Sequence, residues 1–170
     1  MFPSVSLSPW DTNLETQETV GVHFLGGLYY DRGELYMFVI NGSADTDAIK
    51  GYLAGPMAGG PGYVTMKDGE LIDGTLTNIT RALGMWCYAV EFGNYGFLKV
   101  VGWSKDENDD ELLVTAGGVA AGDPLVLAGA PGSVTFIAEK AAAGEEHGVI
   151  GHAIAADVGT AVMATLNCLP

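Results

Sequence analysis

The stretch EEHGVIGH places four side chains of metal-ligating type close together: Glu145, Glu146, His147 and His152. Their spacing is wrong for a shared ion. On a strand, His147 and His152 point to opposite faces, and on a helix they stand about 140° apart; no HExxH or other zinc pattern surrounds them. A polar turn with one satisfied histidine is the expectation. A second oxygen-rich run, Asp106-Glu107-Asn108-Asp109-Asp110-Glu111, has the hard ligands that calcium prefers. An EF-hand loop starting at Asp106 needs Gly at 111 and Glu at 117, where this chain has Glu111 and Gly117. The run therefore reads as a solvated acidic loop, with a weak adventitious calcium site as the chemical alternative.

Nucleophilic chemistry is equally poorly provided for. No GxSxG elbow occurs, and neither GxxxxGK[ST] nor GxGxxG is present to cradle phosphate. Cys87 lies in MWCYAV, where a thiol behaves as a small hydrophobe, and Cys168 is 81 positions away with no CxxC partner. Two buried thiols are expected, with no disulfide framework and no zinc cluster. Tyr29, Tyr30, Tyr36, Tyr52, Tyr88, Tyr95, Trp86 and Trp103 could stack on sugars, but most sit in strand patterns and so read as core or interface. No catalytic, cofactor-binding or metal-binding residue is assigned, and the expectation is a protein that is not an enzyme and works through a binding surface.

The elements that position these residues are short strands. Val20 to Tyr30 and Glu34 to Ile40 are β-branched and aromatic around Asp31-Arg32-Gly33, which predicts a hairpin. Both alternating faces of ELYMFVI are apolar, as in a strand covered on both sides. Asp45-Thr46-Asp47 before AIKGYLAG could cap one or two helical turns, yet Gly51 argues against a helix, so helix and strand both stay open there. GPMAGGPG reads as a loop, and Asp68-Gly69 between YVTMK and ELI as a hairpin turn. A further hairpin joins Trp86–Phe92 to Phe97–Trp103 around Gly93-Asn94-Tyr95-Gly96. PLVLA, SVTFIA, VIGHAIA and TAVMATL add four more strands between Gly-centred turns.

Nine to eleven short strands without a long amphipathic helix predict an all-β fold, a compact β-sandwich or β-barrel body. Residues 1–19 read as an extended N-terminal arm carrying Phe2, Val5, Leu7, Trp10 and Leu14; such side chains gain about 1.5–3 kcal/mol each on burial, so the arm is expected to dock. The organisation is then arm 1–19, a first β half 20–104, an acidic loop 105–111, and 112–170 as a second β half of the same body or a small barrel subdomain. Seven Lys+Arg against 21 Asp+Glu leave a net charge of −14, which repels phosphate backbones and anionic headgroups and argues against nucleic-acid and membrane partners. With 48% hydrophobic and 16% charged residues the chain is too apolar for disorder, and MFPSVSLSPW has neither the basic nor the apolar region of a signal peptide.

Several segments together resemble the head-decoration, or cement, proteins of tailed bacteriophages: YYDRGELYMFVINGSADTDAIKG, EFGNYGFLKVVG, and GVAAGDPLVLAGAPGSVTFI followed by VIGHAIAADVGTAVMATL. The resemblance covers about residues 20 to 170 and lies in the order and spacing of the segments; the chain departs from it at AIKGYLAGP. It implies a structural protein made in the host cytoplasm and carried on the outer surface of the virion. There it would bind the major capsid protein, bridge neighbouring copies of it as a homo-trimer, and need no cofactor. The reading from another class is a carbohydrate-binding or host-recognition β-sandwich module of a phage fibre.

Overall fold

The computed structural model describes residues 24–31, 33–44, 46–67, 70–72, 81–105, 113–129, 136–145 and 148–169. Within them the fold is all-β, with no α-helix and twelve strands. In chain order these are β1 (Leu28–Asp31), β2 (Glu34–Asn41), β3 (Leu53–Pro56), β4 (Tyr63–Thr65), β5 (Gly84–Trp86) and β6 (Tyr95–Trp103). Then follow β7 (Leu113–Val114), β8 (Pro124–Gly129), β9 (Phe136–Lys140), β10 (Val149–Ala153), β11 (Ala161–Val162) and β12 (Ala164–Asn167).

Ten strands form one sheet in the order β1-β2-β4-β3-β5-β6-β12-β10-β8-β9, and extra β2–β6 and β3–β9 pairings close it. The outer circuit is an eight-strand barrel, β2-β4-β3-β9-β8-β10-β12-β6, and β5 crosses it by pairing with both β3 and β6. Strands from either side of the acidic loop belong to this one sheet. β7 and β11 form a separate two-stranded ribbon.

Alternation of side chains sorts residues on β3 and β5 into two interiors. Leu53 and Met85 join Val100, Leu125, Phe136, Ile150 and Leu166 in the larger core. Their neighbours Ala54 and Trp86 face a smaller core with Val39, Val64, Met66 and Leu98. The outer face of β2 and β6 carries a third cluster, Tyr36, Phe38, Cys87 and Phe97. ELYMFVI is thus covered on both sides, as its two apolar faces require.

The hairpin of β1 and β2 turns at the expected place, with Asp31 opposite Glu34, but its first arm, expected from Val20, is a strand only from Leu28 among the described residues, and Gly26 before it takes φ 77°. Of the two readings open for 45–62, the described residues form no helix: after the Ala48–Val90 bridge a turn follows, with the Tyr52 N–H on the Ile49 carbonyl at 3.2 Å and Gly51 at φ 84°, and leads into β3. Three other expectations need correction. GPMAGGPG is only partly loop, because Gly55 and Pro56 end β3. The YVT strand, β4, pairs antiparallel with β3 and parallel with β2, whereas Leu71 bridges Met57, so no YVT/ELI hairpin exists among the described residues. Burial of Val64 in the smaller core decides this, because only pairing with β2 and β3 places it there. The hairpin expected around residues 93–96 is displaced: β5 is Gly84–Trp86, only Trp86 of the expected Trp86–Phe92 arm is in it, Val90 pairs with Ala48 instead, and Tyr95 and Gly96 begin β6, so β5 and β6 pair across a long connection.

One glycine shows how tightly the barrel closes. A Cβ at Gly151, on β10, would lie 1.8 Å from the Thr165 carbonyl oxygen of β12, so only glycine lets these backbones meet.

Candidate functional site

The residues first suspected of chemistry are not brought together. Glu145 caps its own turn, its Oε2 accepting the Ala142 N–H at 2.6 Å. His152 lies on β10 with its side chain exposed. Glu146, His147 and the acidic residues 106–111 fall outside the described residues, as do the arm residues Phe2, Val5, Leu7, Trp10 and Leu14. Among the described residues no group of three His, Cys, Asp or Glu side chains converges. Cys87 and Cys168 are both buried and unpaired as disulfides, and burial pushes each thiol up to about 12.

Of the eight aromatic residues considered as a stacking face, two are exposed: Tyr30 at 74% and Trp103 at 49%. The rest are partly or fully buried, many in the cluster on the outer face of β2 and β6, where Tyr29 meets Phe97 edge-on at 5.6 Å and Phe38 stacks on Tyr95 at 5.8 Å.

Tyr30 belongs to a surface that the sequence reading missed. In β1, Tyr29 points toward the Tyr36 cluster, whereas Leu28 and Tyr30 point the other way and are 50% and 74% exposed. Leu28 stands opposite Met37, and Tyr30 opposite Leu35. Met37 packs on both interior cores, so Leu28 and Tyr30 extend the core face of the sheet one strand beyond its cover. Phe24, just before the strand, is 86% exposed. Among the described residues, each of the other nine strands of the main sheet has neighbours on both sides, but β1 pairs only with β2. β1 is thus the end of the sheet among the described residues, with Leu28 and Tyr30 exposed on it. The available signal was the apolar face of LYYD itself.

A buried charge cluster fixes the other end of this hairpin. Lys99 on β6 is 1% exposed, and its ammonium contacts Glu34 Oε2 at 2.9 Å. It also donates to the Trp103 carbonyl at 2.9 Å and the Lys105 carbonyl at 3.1 Å. Glu34 in turn accepts the Trp103 N–H at 3.2 Å and the Tyr36 hydroxyl. Burial, followed by that hydrogen bond, holds the Tyr36 phenol well above its ordinary range. The cluster ties the start of β2 to the end of β6 and so presents Trp103, over whose ring Lys105 sits at 5.2 Å.

From Trp103 a row of outward residues crosses four strands: Trp103 is opposite Thr165, Thr165 opposite His152, and His152 opposite Pro124. Beside His152 lies a depression of about 500 Å³ lined by Pro124, Ala141, Ala142, Ala143 and Val149. These small apolar walls offer surface for contact and, apart from His152, no group able to donate or take up a proton.

No protein-family model matches the chain, and no characterised protein matches its sequence. Among solved structures, the chain is similar to the head fiber gp8.5 N base of bacteriophage phi29, with a TM-score of 0.47 and 12% identity over 81% of this chain and 98% of that one. A likeness that distant bears on neither ligand nor partner.

Proposed function

We propose that this protein is a structural component of a tailed-phage virion. In this reading it binds the outside of an icosahedral capsid, cements neighbouring major capsid proteins as a homo-trimer, and acts without catalysis, cofactor, nucleic acid or membrane. The observation that supports this most directly is the exposed pair Leu28 and Tyr30 on β1, a strand that among the described residues pairs only with β2, on a barrel closed elsewhere. Exposed apolar side chains on one face of a strand suit a protein interaction site. The resemblance of residues 20–170 to decoration proteins supplies the capsid as partner, and a surface of net charge −14 suits a protein facing solvent on a particle.

A cement protein binds the assembled lattice and not its dissociated subunits, so mass action stabilises the shell, by about 2.7 kcal/mol per site at a hundredfold excess over Kd. Particles with and without the protein are to be compared under heat and osmotic shock. Better DNA retention with the protein is expected, and equal retention would overturn the cementing role. The fibre reading is favoured by one observation, the exposed Trp103 in line with Thr165 and His152, since an aromatic ring flanked by polar groups on the outside of a barrel suits sugar stacking. Binding on a glycan array, lost in Trp103→Ala, together with no affinity for capsids, would establish that reading instead.

A further inference from the structure

We infer that Asn41 is a modification site held shut by the fold: the native structure blocks its cyclisation with Gly42, and a chain left unfolded long enough to cyclise does not regain the native state. This holds whatever partner the protein binds.

The chemistry is written in the sequence. Of the asparagines Asn13, Asn41, Asn78, Asn94, Asn108 and Asn167, only Asn41 is followed by glycine. Glycine has no side chain to shield its nitrogen and lets the backbone turn freely, so ring closure is easiest at such a pair. Base removes the Gly42 N–H proton, the Gly42 nitrogen bonds to Asn41 Cγ, and the Cγ–Nδ2 bond breaks, releasing ammonia and leaving a succinimide. Water then opens the ring at Cγ, giving aspartate at position 41, or at the main-chain carbonyl, giving an isoaspartyl link. No oxidant or reductant takes part.

The fold engages each group that must move. Asn41 ends β2 and is 0% exposed, away from base and water. The nucleophile is occupied, because the Gly42 N–H donates to the Val64 carbonyl at 2.8 Å. The side-chain amide is held three times: Nδ2 donates to the carbonyls of Thr46 at 2.9 Å and Val90 at 3.0 Å, and Oδ1 accepts the Ser43 N–H at 3.2 Å. The backbone is held as well, the Asn41 N–H donating to the Asn94 carbonyl and the Asn41 carbonyl accepting the Gly93 N–H. Turning Cγ toward the Gly42 nitrogen breaks these contacts inside a buried site. The labile pair is kept for its fit. Asn41 ties the end of β2 to two loops, and a Cβ at Gly42 would lie 2.5 Å from Met57 Sδ and 3.2 Å from the Val64 carbonyl oxygen.

The products do not fit. A carboxylate oxygen in the place of Nδ2 would face the Thr46 and Val90 carbonyl oxygens with no proton to offer them, a buried and repelled charge. An isoaspartyl link lengthens the backbone between the Asn41 and Gly42 N–H groups, each of which has a fixed partner.

The test holds full-length wild type at pH 8, native in one sample and unfolded in guanidinium chloride in the other, in water enriched in heavy oxygen so that hydrolysis during the incubation marks its product. Peptide mass spectrometry reads position 41. The native protein reacts only through local opening and should convert at least about tenfold more slowly than the unfolded chain. The unfolded sample is then returned to buffer and its folded chains are separated by gel filtration; chains modified at position 41 should collect in the fraction that fails to refold. Asn41→Asp made directly gives the same reading should unmodified chains refold poorly, and it should fail to fold or melt more than about 5 °C below wild type. Native and unfolded rates within about tenfold of each other, modified chains that refold as well as unmodified ones, or Asn41→Asp melting within about 5 °C of wild type would each overturn the inference.

Discussion

Replacing Glu34 by Gln removes one charge from the buried cluster while preserving its shape. The amide still offers an oxygen to the Trp103 N–H, but Lys99, 1% exposed, loses its charged partner and keeps, among others, the Trp103 and Lys105 carbonyls and the Tyr36 ring at 5.7 Å. At 2.9 Å and an effective dielectric near 20, the lost attraction is about 6 kcal/mol before any compensation. Breaking a buried pair costs about 3–5 kcal/mol. Here the Glu34 side chain is 21% exposed and the two carbonyls still solvate the ammonium, so about 2–3 kcal/mol is expected. For a chain of this length that lowers Tm by about 4–12 °C. Urea unfolding followed by tryptophan fluorescence measures the loss, with an unchanged slope showing that the folded and unfolded states expose the same surface as before. A cycle with Lys99→Met isolates the pair, whose coupling should exceed about 1 kcal/mol and change little with added salt, because buried charges are poorly screened. A loss below about 0.5 kcal/mol for Glu34→Gln, the range of an ordinary surface change, would refute the claim that this pair fastens β2 to β6.

Two further outcomes follow from buried groups. Cys87 and Cys168, with thiols pushed up to about 12, should be inert to a thiol reagent at pH 8 in the folded protein, and both should react once it is unfolded in urea; rapid labelling of the native state would show that these cores open readily. Glu139 is raised above its ordinary value, first by burial and then by repulsion from Glu145, so its ionisation costs stability above the unfolded pKa and costs nothing at lower pH. Glu139→Gln should therefore raise the unfolding midpoint at pH 7 and leave it unchanged near pH 3, and equal shifts at both would rule out a charge effect.

Much of the barrel is legible locally. Apolar residues on both faces of ELYMFVI require a strand with cover on each side, and Gly93-Asn94 demands a turn between β5 and β6, because successive Cβ atoms alternate and glycine alone turns freely to positive φ. PLVLA, VIGHAIA and TAVMATL announce themselves in the same way, although the last is split into β11 and β12 around Met163; of SVTFIA, Phe136–Ala138 lie in β9 and residues 133–135 fall outside the described residues. What the local pattern does not hold is the choice of partner. YVT suits a hairpin with ELI as well as the ladder it actually joins, and only Val64 meeting Val39 and Trp86 in the smaller core selects the ladder.

The same division holds for the candidate surface. Composition and motif spacing determine an acidic all-β chain with no recognisable catalytic set, because those properties depend on residue types alone. That Lys99 is buried, that Glu34 waits for it 65 positions earlier, and that Tyr30 is exposed while Tyr36 is not were decided by the tertiary structure. Burial and pairing depend on which distant strands share an edge, and here closure of the sheet leaves one edge, β1, without a neighbour among the described residues.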